Sequence, residues 1–189
     1  MTEWELIEQL KQKSEAAFKT IVDTWQDMVY NTVIGILQNA EDAEDVSQEV
    51  FVKVYESVQS FKGESKFSTW IYRIAVTKSL DHLRRKKRKK RFAFIESLFN
   101  KNDEIINDPP DFFHPGVALE KKQDNSVLFK AIAELPENQN TAFVLNKVEG
   151  LSYQEISEIM KISESAVDSL LHRAKSNLRK KLENHYRSR

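Results

Sequence analysis

Residues 150–182 read GLSYQEISEIMKISESAVDSLLHRAKSNLRKKL. Ser152 and Glu155 stand at the spacing of a capping box, in which each side chain satisfies an otherwise orphaned backbone donor at a helix start. The short helix begun there carries Ile156, Ile159 and Met160. Lys161, Ile162 and Ser163 make a brief turn, and a longer helix from Glu164 repeats apolar residues at Val167, Leu170, Leu171, Ala174, Leu178 and Leu182. These are the proportions of a helix-turn-helix. The competing reading is an αα-hairpin within a bundle, and either way this end of the chain is all-α.

Working outward, the spacing predicts a helix from about Glu137 to Glu149, stopped by Gly150, and another ending at Leu135 before Pro136. Residues 92–124 lose helical periodicity and contain Pro109, Pro110, Pro115 and Gly116, which marks a linker. Phe92, Phe94, Leu98, Phe99, Ile105, Ile106, Phe112 and Phe113 make it too apolar for a free tether, so it is expected to be an occupied surface.

At the other end, Thr2 and Glu5 form a second capping-box pattern. From Ser14, apolar residues recur every three or four positions (Phe18, Ile21, Val22, Trp25, Met28, Val29, Val33, Ile36), describing one long amphipathic helix. A further helix follows Asn39, with Ala43, Val46, Val50, Val54 and Val58 on one side and Glu41, Asp42, Glu44, Asp45, Gln48 and Glu49 around the others. Phe61–Lys66 break the period, and Ser68 is placed to cap a third long helix starting near Trp70. Val76, Leu80 and Leu83 keep a core stripe on that helix, while Thr77, Asp81, Arg84 and Arg88 share the opposite face with Lys78 and Arg85 beside them. The expected architecture is all-α, with two small helical domains, 1–91 and 125–189, joined by the linker 92–124.

The composition agrees. The 189 residues are 40% hydrophobic and 31% charged, with four glycines and four prolines, which suits a helix-rich chain. With no cysteine, a disulfide framework, a thiolate metal site and a cysteine nucleophile are all excluded. The amino terminus lacks the order of a signal peptide, and no apolar run reaches the roughly 18 residues of a membrane span, so a cytoplasmic location without membrane insertion is expected.

Lysine plus arginine and aspartate plus glutamate both number 29, yet the charge is segregated. Residues 1–64 hold 5 basic and 13 acidic groups, 65–91 hold 11 and 1, 92–172 hold 6 and 14, and 173–189 hold 7 and 1. Two basic blocks between acidic ones suggest two DNA contacts on a molecule that also meets something basic. Within the first basic block, Arg84–Arg91 are eight consecutive cations. Cations are favoured at a helix terminus by the macrodipole, but only over about one turn, and eight repelling charges make better sense against phosphate. Carboxylates such as Asp42 and Asp45 near a helix start have the same ordinary explanation, and spacing alone leaves their role open.

His82, His114, His172 and His185 have no ligand spacing, so no metal is expected. No glycine-rich phosphate cradle or nucleophile motif appears, so neither a cofactor, a small-molecule substrate nor catalytic residues are expected.

Four stretches taken together carry a resemblance: DAEDVSQEVF (42–51), FKGESKFSTWIYRIA (61–75), LDHLRRKK (80–87), and GLSYQEISEIM followed by LLHRAKSNLRKKL. In this order they closely resemble the extracytoplasmic-function (ECF) sigma factors, with a sigma-two domain, a linker and a sigma-four domain. The resemblance implies a bacterial transcription initiation factor that binds core RNA polymerase, directs it to promoters and assists DNA opening, and that is not an enzyme. Asp42, Asp45, Gln48 and Glu49 would bind the clamp of the polymerase's largest subunit. Lys62, Ser65, Phe67, Trp70 and Tyr72 would lie where the upstream melting element is held open and an unstacked base captured, chemistry that suits a loop backed by aromatic rings. Thr77, Lys78, Arg84, Arg85 and Arg88 would grip that element. Glu164, Ser165, Asp168, Ser169, His172, Arg173 and Lys175 would place the second helix in promoter DNA further upstream. An anti-sigma antagonist is the other implied partner.

Three features depart from the family pattern. Thr77 stands where asparagine is usual and offers one hydroxyl instead of a donor and an acceptor together. Lys161 stands where glycine is usual, at a local cost if its φ is positive. Glu164, Ser165, Asp168 and Ser169 open the recognition helix without a cation, so arginine reading of guanine is not expected there. Two rival classes remain at this point. A stand-alone helix-turn-helix regulator would bind its operator without polymerase, and an antagonist of sigma factors would need no cationic helix.

Overall fold

The computed structural model describes residues 2–99 and 122–187, and its helices start where the chain's own caps place them. Helix α1 (Glu3–Lys11) opens on the Thr2–Glu5 capping box, closed in both directions. Helix α2 (Glu15–Leu37) opens on Ser14, whose hydroxyl accepts the Ala17 N–H. Helix α3 (Ala40–Ser57) opens on Asn39, which accepts the Asp42 N–H at 2.8 Å, and ends in a 3-10 turn, Val58–Ser60.

The long helix α4 runs from Phe67 to Phe99, which corrects the expected boundaries at both ends. The Trp70 N–H already bonds to the Lys66 carbonyl, so the helix begins a turn early and Ser68 lies inside it. At the other end, lysine and arginine are good helix formers, and the helix continues through the cationic run into the segment expected to be linker. Phe92 is exposed there. Ile105, Ile106, Phe112, Phe113, His114 and the prolines of that segment lie outside the described residues.

The carboxy-terminal half comprises α5 (Lys122–Ala133), α6 (Glu137–Lys147), α7 (Tyr153–Met160) and α8 (Glu164–Arg187). Helix α6 stops two residues short of the expected end, before Gly150 at φ 69. The Ser152–Glu155 capping box is present. Lys161 adopts φ 55 and ψ 47, the left-handed region, so the departure from glycine carries strain. Lys161→Gly is therefore expected to stabilise the protein by about 1 kcal/mol, read as a thermal midpoint higher by roughly 2–4 °C. An unchanged or lowered midpoint would show the turn to be unstrained.

Helices α2, α3 and α4 pack on one another, with α1 lying on α2 and the 3-10 turn, while α5, α6 and α7 gather on α8. An aromatic cluster ties α4 to its neighbours: Phe67, fully buried, lies with its ring centroid 5.3 Å from Trp25, 5.2 Å from Phe61 and 5.4 Å from Trp70. Burying such a ring is worth roughly 1.5–3 kcal/mol. The two halves, read as separate units from the sequence, pack against each other through α6 on α2 and α7 on α4, and one hydrophobic cluster runs through both. Ala131, Ile132, Leu135, Ala174 and Leu178 form a second, smaller cluster. Among the described residues no helix is long and apolar enough to cross a membrane.

Candidate functional site

Helix α3 sorts its polar residues into two groups. Glu41, Glu44, Asp45 and Gln48 face solvent together with Val52, whose side chain is among the few large apolar groups left exposed. Asp42 and Glu49 are instead turned toward α4. Asp42 pairs with Lys86, and its Oδ1 lies 3.1 Å from His82 Nε2, close but not aligned as a hydrogen bond. Glu49 accepts from Lys78 at 3.2 Å and lies 3.6 Å from Arg85. Burial alone would raise the Glu49 carboxyl, but the Lys78 hydrogen bond and charge, with Arg85, outweigh it and hold it below the usual carboxylate range. Of the four residues expected on the polymerase side, Asp45 and Gln48 are thus free to meet a partner, and Asp42 and Glu49 also tie α3 to the basic helix.

The loop before α4 is shaped by the helix that begins the chain. Gly63 has φ 76, and a Cβ there would lie 2.6 Å from Cη2 of Trp4. Trp4 is half-exposed, with its ring centroid 6.3 Å from Phe61. Lys62 is exposed beside it, and Ser65 is half-buried. Sequence reasoning missed Trp4, because nothing local connects α1 to this loop.

Phe67 was expected at the melting site, yet it is fully buried. Its ring packs in the core against Trp25, Phe61 and Trp70, beneath the loop rather than on its surface. Trp70, Thr77, Lys78 and Arg85 line one open cleft of about 600 Å³, together with Lys53, Arg73 and Ile74 and with Asn138, Met160 and Lys161 of the second half. Arg73 was also missed, although it stands one turn from both Trp70 and Thr77. The Thr77 hydroxyl donates to the Arg73 carbonyl at 2.7 Å, leaving only acceptor capacity toward the cleft. Tyr72 is buried, and its hydroxyl donates to Glu149 at 2.9 Å. Burial first, then the Glu149 charge, raise the Tyr72 hydroxyl above its ordinary value; burial also raises the Glu149 carboxyl, partly offset by the Tyr72 hydrogen bond.

Further along α4, Arg84–Arg91 are all exposed. Arg84 reaches Asp81 at 3.3 Å and Lys87 reaches Glu137 at 2.7 Å, both surface pairs of little energetic weight. Arg88, Lys89, Lys90 and Arg91 make no ion pair among the described residues.

On α8, Ser163 caps the helix by accepting the Ala166 N–H. Val167, Leu171, Ala174 and Leu178 are buried, while Glu164, Ser165, Asp168, His172, Arg173 and Lys175 are exposed and Ser169 is half-buried. The expected reading residues therefore share an outward surface, acidic and hydroxylic at its start and cationic beyond.

Known proteins match both halves. The Sigma-70 region 2 family matches residues 21–89, and the Sigma-70, region 4 family matches residues 127–178. The chain is 33% identical to the ECF RNA polymerase sigma-E factor of Haemophilus influenzae over 97% of this chain and 96% of that protein. It is 34% identical to the ECF RNA polymerase sigma factor SigW of Bacillus subtilis, over 93% and 94%. In fold it is similar to the sigma factor RpoE of Bartonella quintana, solved in complex with the anti-sigma factor NepR, with TM-score 0.69, 19% identity and coverage of 88% of this chain and 96% of that one. The first of these matches is to a region that a stand-alone helix-turn-helix regulator would have no reason to carry.

Proposed function

The chain belongs to the ECF RNA polymerase sigma factors, which direct polymerase to promoters and are regulatory proteins without catalysis of their own; from that premise we propose which of its surfaces does what. Residues 1–91 form the sigma-two domain, which binds core polymerase and opens DNA, and residues 125–189 form the sigma-four domain, which reads the upstream element. The observation that carries this division is the pairing of opposite faces on one small bundle: an acidic α3 surface exposed at Glu41, Asp45 and Gln48, and a cationic α4 end exposed at Arg84–Arg91. The first suits the basic clamp of the polymerase's largest subunit, and the second suits phosphate. Trp70, Thr77, Lys78 and Arg73 then supply the cleft where the melting element is held, with Lys62 and Ser65 on the loop that Trp4 supports.

The chain acts in the cytoplasm, where polymerase and promoter are found. The Bartonella relative was solved with an anti-sigma factor, and this chain too would have such an antagonist. Run-off transcription of genomic fragments, with core polymerase and with or without this protein, tests the proposal: new start sites are expected only when both are present. Start sites unchanged by the protein would overturn it.

The recognition helix is expected to take more affinity from phosphates and DNA shape than from base edges. Its leading residues include no cation, so the bidentate contact to guanine is unavailable, and Asp168 can at most accept from cytosine's amino group. Arg173 and Lys175 stand where the helix leaves the groove and meets backbone. Arg173→Ala should weaken all promoters alike, while Asp168→Ala should alter preference at one or two base pairs, each worth about 1–3 kcal/mol at most. Selection from promoters randomised over the upstream element distinguishes the two. A changed preference from Arg173→Ala with none from Asp168→Ala would misplace the reading face.

A further inference from the structure

Helix α1 carries one large aromatic side chain that the core does not take in. Leu6, Ile7 and Leu10 are buried against the bundle, whereas Trp4, one turn before Ile7, is 54% exposed. A single exposed apolar residue needs no special explanation by itself. What sets Trp4 apart is where it rests and how firmly it is held. The benzo edge of its indole lies on Gly63, where a Cβ would come 2.6 Å from Cη2 and 2.8 Å from Cζ2. Gly63 also has φ 76, so glycine there serves the turn and the contact together.

Three further contacts fix the ring. Phe61, itself buried, touches both Trp4 and Trp70, with centroids 6.3 Å and 5.4 Å away. Lys11 Nζ stands 5.9 Å from the Trp4 ring centroid and pairs with Glu8 at 2.8 Å. The Lys11 carbonyl accepts from Gln59 Nε2 at 2.6 Å, which ties this helix to the turn just before the loop. The indole is therefore a half-open flat surface oriented before any partner arrives, and such preorganisation lowers the cost of binding.

Trp4 does not line the cleft that holds Trp70 and Thr77, but it is joined to Trp70 through Phe61. Along α4 the groups assigned to the melting element run from Arg88 and Arg84 through Thr77 to Trp70, and then to the loop with Lys62 and Ser65. A strand that leaves its duplex at the arginines and gives up a base to the loop is carried next to Trp4. Two carboxylates of α1 are already engaged there, Glu5 by the Thr2 N–H and Glu8 by Lys11, while exposed Lys62 offers a cation to phosphate. Aromatic rings beside cations are what unpaired nucleic acid stacks on.

We propose that Trp4 is a second base platform, on which the nucleobase following the captured one stacks while promoter DNA is open. The proposal rests on the assignment of the loop to base capture made above. Stacking on an indole accepts any base, and the larger purine rings gain more from it, so this position should favour purines without reading a donor or an acceptor.

The test uses holoenzyme and a single-stranded oligonucleotide carrying the melting element of a promoter mapped by run-off transcription. Abasic substitution, base by base, should find two neighbouring positions where loss of the base weakens binding, one for the loop and one for Trp4. Trp4→Leu keeps an apolar cover over Gly63 and Phe61 but removes the π face. It should weaken binding about 5-fold or more and abolish sensitivity at the second position alone, with Trp4→Phe restoring most of both. 2-Aminopurine at that position should be quenched by wild-type holoenzyme and brighter with Trp4→Leu; a bright probe with the wild type would overturn the proposal without any variant. If Trp4→Leu leaves the abasic pattern unchanged while the captured position stays sensitive, Trp4 is no platform and the loop assignment stands. If no position in the element is sensitive, the loop assignment fails and the proposal with it. If Trp4→Leu instead weakens assembly with core polymerase in the absence of DNA, the indole faces polymerase and the proposal falls.

Discussion

Replacing both Asp45 and Gln48 with lysine is expected to weaken holoenzyme assembly by at least ~100-fold while leaving the fold intact, because like charges brought together across an interface cost several kcal/mol. Both side chains are exposed on α3, and neither is held by an ion pair among the described residues. Glu49 is a poorer choice for this test, since its carboxylate is held by Lys78 and Arg85 and its reversal would set three cations together inside the domain. Co-purification with core polymerase, alongside the far-UV circular dichroism and thermal midpoint of the free variant, reads the result. Normal assembly by a folded double variant would remove this face from the account.

Neutralising Arg84 and Arg88 by glutamine is the second large effect. With Thr77 and Asp81 these residues fall on one outward line of α4, and Arg88 has no ion pair to lose among the described residues. Each phosphate that is no longer neutralised should lower the salt slope of promoter binding by up to about 0.9, with affinity falling most at low salt. The measurement is holoenzyme binding to one promoter across a salt series. An unchanged slope would mean that the cationic run is only a solvated helix end.

Local chemistry made much of this fold legible. The two capping boxes and the Ser14 and Asn39 caps begin helices where expected, and α7 and the start of α8 match the spacing of residues 150–182, because a cap or a turn is decided by neighbours a few positions away. The outward placement of Asp168, His172, Arg173 and Lys175 follows from the same periodicity. What could not be read was long-range. Phe67 looked like an aromatic offered to DNA, and only its meeting with Trp25, Phe61 and Trp70 puts it in the core. Asp42 and Glu49 looked equivalent to Asp45 and Gln48 until α4 was laid beside them. Gly35 reads in sequence as a weak spot in a helix, and its use appears only with Val144 opposite it. The VIGIL run at 33–37 did carry a hint, since a helix end apolar on every side has to be covered twice.

Permanganate footprinting of a promoter with a mapped start site reads unpaired thymines in the melting element, and so reports opening itself. Reactive thymines are expected when this protein and core polymerase are both present, and none with either alone. Opening by the protein without core polymerase, or no opening with both, would contradict the proposed function.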